Sequence, residues 1–506
     1  MKFEEFKKRV QEDLKPFFNP KGIAVIGASR KEHSAGHVIF KLLLENHRKG
    51  LLKGKVFGVN IKGGSIFGEK LYKTIEEIPY EVDHAVIVIP ADLVPSAMYM
   101  CGKKGVKVAT IITGGFSEVG RNYLEEEVIR IANKYNIRII GPNGIGIFDV
   151  YSGVDTLFLP TKKEVEGTLE ISLPRPPPGF ISFLSQSGAL GSAVIDYMYG
   201  ENLGLAKFIS WGNKIDVDEA EMLAYLADDE YTRVILMYIE AFKKNGKFVI
   251  EIGKEVSKRK PIVVLKGGMT EAGARGTLSH TASMAGNVKL YEVAFKEMGG
   301  LLANNLIEFL DMAKALSMQP PARGPNIGIV TNGGGPGILA SDYAEKMEFK
   351  VPKLSQDTIK ELQEYVESGI IPRIATFSNP IDLSGTATDD SYAYATEALL
   401  RAKEIDAVVV LALHHPPTVT DAMPKKLINI IKDYHKPVIA IDVGSIGVSL
   451  WVRKMFDNSS IPAYPLPVRA IYGMKALIQY GSWLRKNGVL EQYLESWEPP
   501  KMTGGI

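Results

Sequence analysis

The residues best suited to chemistry sit in short runs of small amino acids. His280 lies in RGTLSHTASMAG (275–286), where serine, threonine, alanine and glycine leave room for a bulky adduct and supply hydroxyl donors. An imidazole can attack phosphorus when a base or carboxylate holds its other nitrogen. Glu240 closes the apolar run RVILMYIE (233–240) and would be such a carboxylate at the end of a parallel strand, where ligands of these sheets gather. Taken alone, the residues leave two uses open for His280: a structural hydrogen bonder or a nucleophile.

Three glycine-rich turns follow β-branched runs. In SQSGALG (185–191) a helix starting near Ser187 or Gly188 would place Ser185, Gln186 and Ser187 around its positive end. Backbone amides and hydroxyls there suit a phosphate, and a capping role alone is the other reading. No Walker lysine follows, so nucleotide hydrolysis is not indicated. The turn IGASR (26–30) carries Gly27 and Ser29, with Gly36 further on; it reads as a phosphate-binding turn opening a helix, or as a plain tight turn. It is not GxGxxG, and no hydride-transfer constellation accompanies it, which disfavours a nicotinamide-dependent dehydrogenase. The loop TNGGGPG (331–337) is glycine-rich enough for close backbone approach to a ligand or partner. His414 and His415 end another apolar run, but no third ligand at metal spacing accompanies them, so the expectation there is a strand-end loop and no metal site. Asp216 and Asp218, in GNKIDVDEAEML, read as helix-capping acids.

These groups need strands and helices to hold them. Further buried-strand runs are HAVIVIP (84–90), VKVATIIT (106–113), IRIIGPN (137–143), KPIVVLKGG (260–268), DAVVVLAL (406–413) and KPVIAIDVG (436–444). Continuous apolar strands alternating with helical stretches imply parallel sheets covered on both faces. The fold class is α/β: a Rossmann-like domain over 1–150, a connector over 151–179 with room for a small hairpin, a second domain over 180–320 and a third over 325–490. The run PRPPPG (174–179) marks the first junction as neither helix nor central strand, and MQPPARGPN (318–326) marks the second.

Composition narrows the classes. At 506 residues the chain suggests on the order of three or four domains. Its net charge of +2 makes no strong case for nucleic acid or a membrane surface, and an anionic ligand must be met by local sites. A single cysteine, Cys101, excludes an intrachain disulfide framework and fits a reducing cytoplasm. The charged N-terminus has no signal-peptide core, and no apolar run reaches the ~18 residues of a membrane span.

Together the motifs resemble a family. VIGASR, IVIPAD, ITGGFSE, IGPNGIGI, FLSQSGALG, GNKIDVDE, MYIE, SHTASMAG, TNGGGPGILASD and NPIDLSG follow one another as in the α subunit of archaeal ADP-forming acyl-CoA synthetases, relatives of the succinyl-CoA synthetase α subunit. The resemblance implies a CoA-binding first domain, two flavodoxin-like ligase domains, and interconversion of acyl-CoA, ADP and phosphate with acid, ATP and CoA. It matches His280 to a phosphorylated histidine and Glu240 to the glutamate that orients it. It matches Ser185, Gln186, Ser187 and Gly188 to a phosphoryl-cradling helix start, and Asn143 to the phosphate pocket. Gly27, Ser29, Asn60, Val88, Pro90 and Thr113 fall in the segments that line the CoA site. Two positions depart from the family pattern: Gly144 replaces a usual cysteine and is expected to widen the pocket, and Ala282 replaces a usual glycine. The resemblance further implies a separate ATP-grasp β subunit in an α2β2 assembly, which would hold ADP or ATP with Mg2+, so that this chain alone should not make ATP. A non-catalytic CoA-binding regulator is the competing reading, in which His280 and Glu240 are incidental.

Overall fold

The computed structural model describes residues 2–243, 245–275 and 288–500. His280 and Ala282 lie outside the described residues. The chain forms two compact units, Met1–Leu302 and Ala303–Ile506.

The first unit holds two sheets and a hairpin. Its first sheet runs β3-β4-β2-β1-β5-β6-β7, from β1 (Gly22–Ile26), β2 (Lys55–Val59), β3 (Gly64–Ile66), β4 (Glu69–Tyr72), β5 (His84–Ile87), β6 (Val108–Ile111) and β7 (Arg138–Ile140). All neighbours are parallel except β3 and β4. Strands β1, β5 and β6 are buried along their whole length, which is why their sequences are mostly apolar and not alternating, the polar His84 and Thr110 meeting each other at 2.8 Å.

Strand β8 (Ile147–Asp149) pairs antiparallel with the second sheet. The hairpin of β9 (Lys162–Val165) and β10 (Thr168–Ile171) is exposed on both strands. The second sheet runs β15-β14-β13-β11-β12-β8, with β11 (Pro178–Ser185), β12 (Leu205–Ser210), β13 (Val234–Ile239), β14 (Ile262–Lys266) and β15 (Gly300–Ala303). Central strand β11 begins inside the PRPPPG run. Pro178 can sit there because it is the first residue of the strand, where its missing N–H costs no ladder bond. Strand β12 was not legible as an apolar run because Lys207 interrupts it. That lysine is buried nonetheless, with Nζ 2.6 Å from Asp229 and 3.4 Å from Asp149.

The N-terminal segment forms the helix Phe3–Phe18, whose buried Phe6, Val10, Leu14, Phe17 and Phe18 make one apolar stripe. This stripe packs on the helix Glu219–Ala227, with the rings of Phe18 and Tyr225 stacked at 5.0 Å. The first domain is thereby fastened to the second by a helix spelled in alternating charges.

Among the described residues the second unit has one sheet, β17-β18-β16-β19-β20-β21, from β16 (Ile327–Thr331), β17 (Thr376–Phe377), β18 (Ile381–Asp382), β19 (Ala407–Ala412), β20 (Val438–Asp442) and β21 (Ala463–Tyr464). Its neighbours are parallel except β17 and β18. The helix Leu306–Met318 packs on the helix Pro467–Lys486 and belongs to this unit. No described helix is long and apolar enough to cross a membrane.

Candidate functional site

The residues matched to CoA binding stand at the carboxyl ends of neighbouring strands in the first sheet. Gly27 follows β1 at φ +107°, a conformation that favours glycine, and a Cβ there would sit on the Val88 carbonyl oxygen. Asn60 follows β2; its Nδ2 donates to the Ala28 carbonyl at 2.7 Å and so ties the β1 and β2 turns together. Val88 and Pro90 follow β5, and Thr113 follows β6, donating its hydroxyl to the Ile89 carbonyl at 2.7 Å. Ser29 lies mid-turn, its hydroxyl accepting from the Lys31 amide at 3.1 Å and its carbonyl meeting His37 Nδ1 at 2.9 Å. The IGASR turn does not open a helix directly: the helix Ala35–Arg48 starts eight residues after Gly27, with Ser34 just before it. A looser turn with exposed Arg30 and Lys31 results, and neither cation was singled out by motif.

In the second sheet Glu240 stands one residue past β13 and is 6% exposed. Gln186, one residue past β11 and 3% exposed, accepts with Oε1 from the Glu240 amide at 2.5 Å and the Ala241 amide at 3.0 Å. The Tyr238 hydroxyl donates to Glu240 Oε1 at 3.3 Å. Burial, reinforced by the Glu240 carboxylate, holds the Tyr238 phenol well above its ordinary pKa. Lys266 ends β14 beside them, its ammonium 4.6 Å from the Tyr291 ring centre. Burial pulls its pKa down, and the Glu240 charge partly offsets this.

The helix Gly188–Gly200 starts where the sequence placed it. Ser187 is its N-cap, accepting from the Leu190 amide at 3.2 Å, and Ser185 donates its hydroxyl to the Ser187 carbonyl at 2.7 Å. Both hydroxyls therefore shape the turn. A Cβ at Gly188 would come within 2.6 Å of Ile145 Cγ2, so only glycine lets the GPNGIG loop lie against this helix start. Asn143 in that loop adopts φ +60°, which asparagine tolerates, and its amide donates to the Thr113 carbonyl at 2.9 Å. The carboxyl ends of β6, β7, β11 and β13 are thus brought together with Asn143, Gly188, Gln186 and Glu240. Gly144 does not widen a pocket here. A Cβ at that position would meet the Ser210 carbonyl oxygen at 2.7 Å, so glycine answers a close approach of two backbones.

In the second unit His414 and Asp442 are buried side by side, Nδ1 against Oδ2, at the ends of β19 and β20. A cavity of about 470 Å³ opens beside His414, walled by Val419, Thr420, Val448 and Trp451. Among the described residues no three His, Cys, Asp or Glu side chains converge as a metal site. Asp218 caps the helix Glu219–Ala227 through the Glu221 amide, while Asp216 pairs with Arg138.

Residues 21–149 match the CoA binding domain family, and residues 178–316 match the succinyl-CoA ligase like flavodoxin domain. The α subunit of ADP-forming acetate–CoA ligase I from Pyrococcus furiosus is 40% identical over 486 residues, covering 94% of this chain and 99% of that one. The α subunit of isoenzyme II from the same organism is 38% identical, covering 92% and 97%. The solved structure of the Ca. Korarchaeum cryptofilum dinucleotide-forming acetyl-coenzyme A synthetase 1, in complex with phosphate and ADP, superposes with a TM-score of 0.84 at 37% identity, covering 94% of this chain and 98% of that one. With a CoA-binding domain family followed by a succinyl-CoA ligase like one, and relatives matched over almost their whole length, the chain belongs to the α-subunit family of ADP-forming acid–CoA ligases.

Proposed function

We propose that the chain carries a phosphoryl group on His280 between an acyl phosphate and the nucleotide site of a separate ATP-grasp β subunit. The observation that carries this reading is the pair of hydrogen bonds that the Glu240 and Ala241 amides donate to Gln186 Oε1. It fixes a nearly buried carboxylate beside the amino end of the helix Gly188–Gly200.

In the proposed sequence, phosphate attacks the acyl-CoA carbonyl, the C–S bond breaks, and CoA leaves with an acyl phosphate formed. A ring nitrogen of His280 then takes the phosphoryl group and the acid leaves as its carboxylate. Finally ADP accepts the phosphoryl group to give ATP. Phosphohistidine carries about two negative charges, which the helix start and its amides favour. Glu240 would repel the phosphoryl oxygens, so its place is on the far ring nitrogen, where it fixes the tautomer and stabilises the cationic ring. Ser185, Gln186, Ser187, Gly188 and Asn143 shape the phosphate end. Gly27, Ser29, Asn60, Val88, Pro90 and Thr113 line the CoA end, with Arg30 and Lys31 as cations for its phosphates.

On this reading residues 1–150 hold CoA, 151–179 connect, and 180–320 and 325–490 are the two ligase domains. ADP or ATP with Mg2+ is held mainly by the β subunit, in an α2β2 assembly. The buried lone thiol of Cys101 suits a reducing cytoplasm. Incubation with labelled acetyl phosphate tests the scheme: an acid-labile, base-stable adduct is expected, lost in His280→Ala. Labelling that persists unchanged in that variant would refute it.

A further inference from the structure

The turn after β12, Trp211 to Ile215, touches both halves of the candidate phosphate site. On one side it grips the GPN loop. The Asn213 amide donates to the Pro142 carbonyl at 2.8 Å and the Ile215 amide to the Gly141 carbonyl at 3.2 Å. Gly212, at φ +54°, lies so close to this loop that a Cβ would meet the Asn143 carbonyl carbon at 2.5 Å. The Asn213 side chain, 5% exposed, accepts from Asn143 Nδ2 at 3.1 Å. Its own Nδ2 is shared between Glu118 Oε2 at 2.6 Å, Glu125 Oε1 at 2.7 Å and Ser117 Oγ at 3.3 Å. One amide group therefore ties Asn143 to the acidic rim of the first domain.

On the other side the turn reaches the strand end that carries Glu240. The Lys214 side chain is wholly buried; its Nζ pairs with Glu219 and donates to the Ala241 carbonyl at 3.0 Å. Because the Ala241 amide is already held by Gln186, both of its backbone polar groups are pinned, one from each side. A buried ammonium is costly to desolvate, and an apolar pair of equal volume often stabilises a core at least as well. Stability alone thus gives little reason for a lysine here, whereas a rigid donor aimed at one carbonyl does.

We propose that Asn213 and Lys214 are positioning residues. Lys214 sets the strand end that aims Glu240, Asn213 sets Asn143, and the one turn keeps the two groups in a fixed relation. The inference rests on the role assigned to Glu240 above.

The test uses the full chain with its partner subunit. Lys214→Met combined with Glu219→Gln removes both buried charges, so neither is stranded. Phosphoenzyme formation from labelled acetyl phosphate should slow about tenfold or more, since small displacements of a catalytic group are costly, while CoA affinity stays within about twofold. Glu219→Gln alone keeps the bond to Ala241 and should slow labelling less than about threefold, which separates positioning from a general loss of stability. Asn213→Ala should raise the KM for phosphate about fivefold and leave that for CoA unchanged. If the double variant does not fold, Lys214→Arg, which keeps the charge but moves the donor atoms, carries the same comparison. Wild-type labelling in the folded Lys214 variant alongside slow Glu240→Gln overturns the Lys214 assignment and leaves Glu240 standing. An unchanged phosphate KM overturns the Asn213 assignment. A Glu240→Gln protein that labels normally overturns the inference together with the reading beneath it.

Discussion

The second and third sheets are built to one plan and end in different side chains. From β11, one side leads to β12 and an antiparallel edge, the other to β13, β14 and β15. From β16, one side leads to β18 and an antiparallel edge, the other to β19, β20 and β21. Each first strand runs into a glycine-rich helix start, and one residue past each a side-chain amide seizes the neighbouring strand. Gln186 accepts from the Glu240 and Ala241 amides, while Asn332 donates to the Leu413 carbonyl and accepts from the Leu413 amide, both at 3.0 Å. The divergence comes at the next positions. Lys266 ends β14 beside Glu240, whereas Asp442 occupies the same place on β20 and faces His414. A repeated fold thus repeats the device that fixes a strand end, and single residues at that end select the charge presented there.

The largest expected effect breaks the comparison on the side of the carboxylate. Glu240→Gln keeps the shape and the Gln186 tie, yet should lower phosphoryl transfer on the order of a hundredfold or more because the imidazole loses its orienting anion. Rapid-quench labelling checks this, and near wild-type turnover would sink the role. In the other unit, His414→Leu should instead cost stability: it leaves Asp442 buried without its imidazole, about 2 kcal/mol by denaturant unfolding. A stable His414→Leu protein that has lost turnover would show that the third sheet, too, does chemistry at this place.

A smaller contrast lies at the two helix starts. Gly188→Ala drives a methyl into Ile145 and should cost about 1.5 kcal/mol. Gly334→Ala meets only the tip of Asp382 at 3.1 Å, which can shift, and should stay within about 0.5 kcal/mol of the parent. Equal losses would mean that the GPNGIG loop can move away from the second-domain helix. The smallest effect concerns the first sheet, whose turn is looser than either. Ser29→Glu should weaken CoA binding about threefold near physiological salt and more at low ionic strength, because a carboxylate there would repel the CoA phosphates across solvent. Calorimetry at two salt concentrations measures it, and unchanged affinity at both would place CoA elsewhere.

Much of this could be read from the chain alone, for reasons that are local. Most central parallel strands of the three sheets are apolar runs because such strands are covered on both faces, and the start of the helix at Gly188 is written in a serine cap and a small residue. The family order of motifs is equally a property of the linear sequence. Tertiary structure decided what depends on residues far apart. Lys207 and Lys214 carry no local sign of burial, yet both are buried because carboxylates from other elements meet them. Gly144 read as extra room and proves to be a contact between two backbones. The service of Gln186 and Lys214 to a single alanine peptide has no signature in spacing, since it joins residues 55 and 27 positions away through hydrogen bonds that exist only once β11, β12 and β13 lie side by side.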